Sequence, residues 1–294
     1  MSKNNYFRGS IYHCLETSGN LKPAYFEDGL MVVDKESGKI VDVGTYSDLS
    51  SSWDTSINLI HFKDRLIMPG FIDTHVHYPQ YKVIASYGTS LLEWLNQYTF
   101  VEEQRFSDEN YADQIANLFL DELIKNGTTT VMTFCASYKK SVDAFFKASQ
   151  KRNLRMVAGK VMMDRNAPEK LCDSPEDSYL DSKALIEKWH NKGRLRYAVT
   201  PRFAITSSKL QLEQASRLLS EYPEANGKKG VLLQTHLNEN DEEINWVKEL
   251  FPESENYFGV YQDFGITGNF GLNQTMLSIM DLLVENMLLE AHRG

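Results

Sequence analysis

Three short segments combine residue types and spacings that suit a metal site with an acid/base group beside it. In His75-Val76-His77 the imidazoles stand two apart in a strand-like stretch, so both point to one face and one ion can bridge them. Two histidines on one strand face read equally well as a packed polar pair. Asp73, two residues earlier on that face, can support the ligands from behind. His236 closes the apolar stretch GVLLQTH, where an imidazole without a partner costs free energy. Glu239 follows three residues on, which suits a third ligand with a proton carrier nearby. The plainer reading is a helix start, with Asn238 or Asn240 capping EEINWVKELF, and the two are compatible. Thr200-Pro201-Arg202-Phe203 sets a guanidinium beside a phenyl ring, which together can hold a carbonyl and stack on a planar heterocycle. A surface arginine above a core phenylalanine has the same spelling. Gln80 can offer its amide to a heterocycle edge, or be a solvated loop residue. His13, His61, His190 and His292 have no such spacing, and His190 in the polar KWHNKG reads as exposed.

These residues need strands that end together. Residues 1–68 read as a small β-subdomain: GSIYHCL is a strand, and GLMVVDKESGKIVDVG is a hairpin with Gly38 supplying the positive φ of its turn. From Pro69 strands and helices alternate. The strands are Phe71 to His77, then 128–136, 154–164, 194–203 and 230–236. Between them YADQIANLFLDELIKNG places Ile115, Leu118, Leu120, Leu123 and Ile124 near helical spacing, and Asn126-Gly127 can stop that helix. KLQLEQASRLLSEY is a further helix, with Ser207-Ser208 placed to cap it. Such alternation implies a parallel sheet. His75, His77, Arg202 and His236 all fall at C-terminal strand ends, which are the active-site face of a (β/α) barrel. No glycine-rich phosphate-binding turn offers a nucleotide site. The expected organisation is a β-subdomain over 1–68, barrel strands 1–5 over 69–268 and an atypical helical tail over 269–294. The aromatics of EWLNQYTF (93–100) read as packing or as a pocket wall.

Composition narrows the function classes. Of 294 residues 42% are hydrophobic and 24% charged, an ordinary globular mix. A formal charge of -9 argues against nucleic acid as the main partner. No apolar run is long enough to span a membrane, and the polar start MSKNNYFRGS lacks a signal-peptide core. Cys14, Cys135 and Cys172 form no CxxC pair and no disulfide framework, which fits a reduced, cytoplasmic setting.

PGFIDTHVHYPQ (69–80), LLEWLNQYTF (91–100), NGTTT (126–130), GKVMMDRNAP (159–168), TPRF (200–203) and QTHLNEN (234–240) occur in the order and approximate spacing of the guanine deaminases, and the chain resembles that family from about residue 7 to about 268. PGFIDTHVH alone would indicate only the wider amidohydrolase superfamily. The resemblance implies an α/β fold, a TIM-type (β/α) barrel with a small β-sandwich built from both chain ends. It implies a Zn2+-dependent hydrolysis of guanine to xanthine and ammonia by a cytoplasmic homodimer. His75, His77 and His236 then look like zinc ligands and Glu239 like the proton shuttle. Gln80, Arg202 and Phe203 look like guanine contacts, with Leu92 and Trp94 in the pocket wall. The family uses one more histidine and a late aspartate as well. After residue 268 no matching motif is present, so His292 and Asp281 receive no role. The resulting expectation is an incomplete barrel of about five of the eight units, with weak or absent turnover. The alternatives are a deaminase of another aminoheterocycle in the same superfamily, or a non-catalytic partner subunit. The cytidine-deaminase scaffold would need HxE and PCxxC patterns, which the sequence lacks.

Overall fold

The computed structural model describes residues 3–17, 20–50, 59–88, 90–225, 227 and 230–267. The helical tail expected over 269–294 lies outside the described residues. The chain divides into two compact units after Gly70. In the first, β1 (Asn4–Thr17) pairs antiparallel with β2 (Asn20–Asp34), which pairs antiparallel with β3 (Ile40–Thr45). A short helix α1 (Tyr46–Ser50) follows, and β4 (Leu59–Ile67) lies parallel to β1, giving the order β3-β2-β1-β4. The β2–β3 turn forms because Asp34 Oδ1 accepts both the backbone N–H (2.8 Å) and the hydroxyl (2.7 Å) of Ser37, while Gly38 adopts φ +67°. The described residues of this unit form a single sheet; the second layer of a sandwich is not among them.

The second unit begins with β5 (Phe71–His77), followed by a 3-10 turn over Tyr78–Val83. A helical segment comes next: α2 (Leu91–Trp94), a π turn (Leu95–Thr99) and α3 (Phe100–Glu103). The alternation then runs α4 (Glu109–Lys125), β6 (Thr128–Phe134), α5 (Lys139–Lys151), β7 (Arg155–Gly159), β8 (Val161–Met162), α6 (Pro175–Trp189), β9 (Arg196–Pro201), α7 (Lys209–Glu221), β10 (Leu232–Leu233), α8 (Asp241–Leu250) and α9 (Tyr257–Asp263). The strands are parallel, in the order β10-β9-β7-β6-β5 with β8 on β9. Thr130 to Phe134 of β6 and all of β7 and β9 are buried, as a sheet covered on both faces requires. Among the described residues no helix is long and apolar enough to cross a membrane.

Several elements differ from their sequence reading for local reasons. The stretch 154–164 is two strands, because the Lys160 N–H bonds the Tyr197 hydroxyl instead of a neighbouring strand. The Lys160 side chain turns away to pair with Asp173. The stretch 230–236 keeps only two regular ladder residues, yet it continues along β9 through Gln234 N–H to Val199 O (3.0 Å) and His236 N–H to Arg202 O (2.9 Å). In α4 the buried face is Ala112, Ile115, Ala116, Phe119 and Leu120, so Leu118 and Ile124 stand exposed. Asn126-Gly127 ends that helix as expected, with Gly127 at φ +82°. His190 is half-buried, not exposed, and its Nδ1 accepts the Tyr197 N–H at 3.0 Å. Gly159 is where β7 passes β9 too closely for a side chain, since a Cβ there would lie 1.8 Å from Ala198 O.

Candidate metal centre and pocket

His75 and His77 reach one place through a distortion of β5. Asp73 pairs with Val131 and Val76 with Thr133, so β5 carries one more residue than β6 across this step. Such a bulge re-aims a side chain and leaves a backbone group off the ladder. Asp73 Oδ1 takes the N–H of His75 at 3.1 Å, which makes Asp73 a brace for the backbone of the first histidine. His236 arrives from beyond β10. Its Nδ1 lies 2.7 Å from Arg202 O, and a carbonyl only accepts, so Nδ1 carries the proton and Nε2 the lone pair.

That lone pair faces His77, whose Nε2 is 2.9 Å from His236 Nε2. A nitrogen of His75 completes a cluster whose ligand atoms all lie within 4.8 Å of one another. Burial pushes the His77 pKa well below the usual imidazole range and that of His236 to about 3, with the nearby Arg202 charge acting in the same direction. With the lone pair on His236 Nε2, the proton of this contact belongs to His77 Nε2, and neutral imidazoles crowded together in this way are a donor set for a borderline transition metal that would take the place of that proton. His77 Nδ1 is buried without a partner, a further sign that this group needs something more than its protein neighbours. The Phe134 ring forms the floor, its centroid 4.5 Å from His77, 4.4 Å from His236 and 5.2 Å from His75.

A cavity of about 210 Å3 opens over the cluster. Glu239 stands at its rim, with Oε1 4.0 Å from His236 Nε2 and its own N–H bonded to Glu243 Oε2 at 3.1 Å. Burial first and the Glu243 charge second raise the Glu239 pKa, against the pull of Arg202. Asn240, not Asn238, caps α8 through Glu243 N–H (2.9 Å), and Asn238 makes the preceding turn at φ +57°. Gln80, Arg202 and Phe203 also line the cavity, as does Trp94. Leu92 does not; Leu91 and Leu95 do. Positions 91, 94 and 95 share one helical face, from which 92 is turned by roughly 100°. Arg202 is buried (2% exposed) rather than lying on the surface, and both oxygens of Glu103 stand 2.9 Å from its Nη1. Glu103 and Phe134 carry no spacing signal in the sequence; only the long-range packing reveals them.

The model of the amidohydrolase family matches residues 66–287. The chain belongs to the amidohydrolase family. As a member it is 46% identical over 244 residues to a guanine deaminase of Escherichia coli (strain K12), covering 83% of this chain and 54% of that protein. The solved structure of E. coli guanine deaminase superposes with a TM-score of 0.81 at 42% identity, over 91% of this chain and 60% of that one. The guanine deaminase of C. acetobutylicum, with guanine bound in its active site, matches at 0.78 and 32% identity, over 90% and 60%. The chain therefore spans about half the length of the curated relatives it matches. These likenesses identify the parallel sheet and its helices as part of a TIM-type barrel.

Proposed function

We propose that this amidohydrolase is a guanine deaminase, converting guanine and water to xanthine and ammonia with Zn2+ as its metal. The observation that carries the reading is one cavity lined both by the three clustered imidazoles and Glu239 and by Gln80, Arg202, Phe203 and Trp94. The likeness to guanine deaminases, one with guanine bound, supports it. The cavity volume of about 210 Å3 is below the roughly 300 Å3 at which drug-sized pockets begin, which suits a bicyclic heterocycle.

His75, His77 and His236 would hold the ion, which when bound supplies a Lewis acid and a water activated at neutral pH. Phe203 and Trp94 give the ring two flat apolar surfaces. Arg202 donates to a ring carbonyl and Gln80 bonds the adjoining edge. Glu239 takes one proton of the attacking water and passes it to a ring nitrogen, then takes the proton of the added hydroxyl and passes it to the departing amine, so that xanthine and ammonia result. Burial and the Glu243 charge raise its pKa, which favours holding the proton between the two transfers. Three free cysteines suit a reduced cytoplasmic setting, and a homodimer is the expected assembly. The test is metal content by elemental analysis together with xanthine and ammonia release from guanine by the purified chain. About one zinc per chain with turnover supports the proposal. Bound zinc with turnover of a different aminoheterocycle, and none of guanine, would replace the substrate.

A further inference from the structure

Glu103 does not line the cavity, yet it sits fully buried behind two residues that do. Its carboxylate holds Arg202 Nη1, and the Gln80 side chain beside it helps to pull the Glu103 pKa down, as an amide N–H turned toward the carboxylate does. A carboxylate offers only acceptors, so Gln80 must turn its NH2 toward Glu103, which leaves the amide oxygen for the cavity. Arg202 has five N–H donors and gives one nitrogen to Glu103, so the cavity meets its remaining donors. The wall thus sets an acceptor beside a donor. The ligand edge that complements it has an N–H beside a C=O, as in a ring lactam.

The π turn explains how Glu103 gets there. On a regular helix, eight residues beyond Leu95 would place it roughly 80° round the axis. The extra residue of the π turn over Leu95–Thr99 returns it to about 20°, on the side of the pocket wall. We propose that Glu103 is the positioning residue that locks Gln80 and Arg202 into an acceptor–donor pair and so selects heterocycles with a lactam edge. This rests on the purine reading above and names the residue behind its selectivity. A carboxamide at 103 both donates and accepts, so it releases the Gln80 amide to face either way and leaves Arg202 without its counter-charge.

The test uses E103Q in the full chain, after metal content and thermal midpoint show it folded. Calorimetry compares hypoxanthine, which has the lactam edge and no amine to lose, with adenine, which has no lactam. Wild type is expected to favour hypoxanthine by about tenfold or more, and E103Q to lose most of that preference. An unchanged preference in E103Q overturns the proposal. Crystal structures without ligand read the positioning directly: in E103Q the Arg202 guanidinium moves or the Gln80 amide reverses, and both staying in place also overturns it. If wild type binds neither purine, the guanine reading is decided by turnover of guanine itself, and the structural comparison still decides the role of Glu103. If E103Q does not fold, the wild-type crystal structure carries the test, and Gln80 or Arg202 lying free of Glu103 there overturns it.

Discussion

Imidazoles stripped of water hold protons poorly and cations well. The pKa values of His77 and His236 are both depressed by burial, so the rings are neutral, and the His236 Nε2 lone pair accepts from His77 Nε2–H at 2.9 Å, a proton that a bound cation would displace. Glu239 is the opposite case, a carboxyl whose proton is retained more easily because burial and Glu243 disfavour the charge. Under the proposed function this division gives the ligand and proton-carrier roles to different residues, and substitution should separate them. Glu239→Gln is expected to keep the metal, since it touches the cluster only at 4.0 Å, while turnover falls by about 10²–10⁴-fold. Elemental analysis beside a guanine assay checks it, and loss of metal in parallel with turnover would make Glu239 a ligand instead. That the histidines and Glu239 border one cavity was legible because a strand-end position is a local property of the sequence, whereas the bulge in β5 that helps bring His75 and His77 together was not. Glu103 was not, because a carboxylate in FVEEQRF becomes a buried partner only through Arg202, 99 positions away. Leu91 and Leu95 line the cavity where the sequence had pointed to Leu92.

The elements succeed where local signals are strong. Ser208 caps α7 by accepting Gln211 N–H, and Gly127 ends α4, both as the sequence suggested. They diverge where a long-range partner takes a backbone group, as Tyr197 does at Lys160. At Gly159 the β7–β9 approach sets a sharp steric limit: a methyl would also meet Thr200 Oγ1 at 2.3 Å. Gly159→Ala should therefore destabilise by about 1–3 kcal/mol through forced strand separation, read from the urea midpoint. A midpoint equal to wild type would show that the strands part freely. Between α6 and α7, Glu221 accepts from Lys183, Tyr179 and Arg217, and the Lys183 hydrogen bond is the first cause holding its pKa down to about 2 from 4.5. Because the folded value is depressed, the stabilisation is present above the unfolded pKa and is lost as pH falls from about 4.5 toward 2. Urea midpoints for wild type should drop across the upper part of that window more steeply than those of Glu221→Gln. Parallel curves for the two proteins would remove Glu221 from the acid response.

At the scale of the whole α/β unit, the histidine cluster reports the shape of the sheet. β5 and β10 are the two ends of the strand order, four inter-strand steps apart, roughly 19 Å if the sheet were flat. Yet His77 at the end of β5 and His236 just beyond β10 bring their Nε2 atoms to 2.9 Å. Gln234 likewise crosses the interior to bond Thr133 O on β6 at 3.0 Å and Thr200 Oγ1 on β9 at 2.9 Å. The sheet must curl for these contacts to form, which is the curvature of a barrel wall. An ion held by His75, His77 and His236 would tie the two ends of that arc together, and it would bind only where the arc is folded. Binding to the folded state alone stabilises by about 2.7 kcal/mol at a free concentration one hundred times the dissociation constant. Metal removal by a chelator should thus lower the thermal midpoint of the α/β unit, and added zinc should restore it in a concentration-dependent way. His77→Ala should lower the metal-free midpoint little and abolish the response to zinc, because it removes one end of the tie while the strands remain. A zinc response in His77→Ala equal to that of wild type would mean that the ion binds elsewhere, and that the curled sheet closes on its own contacts.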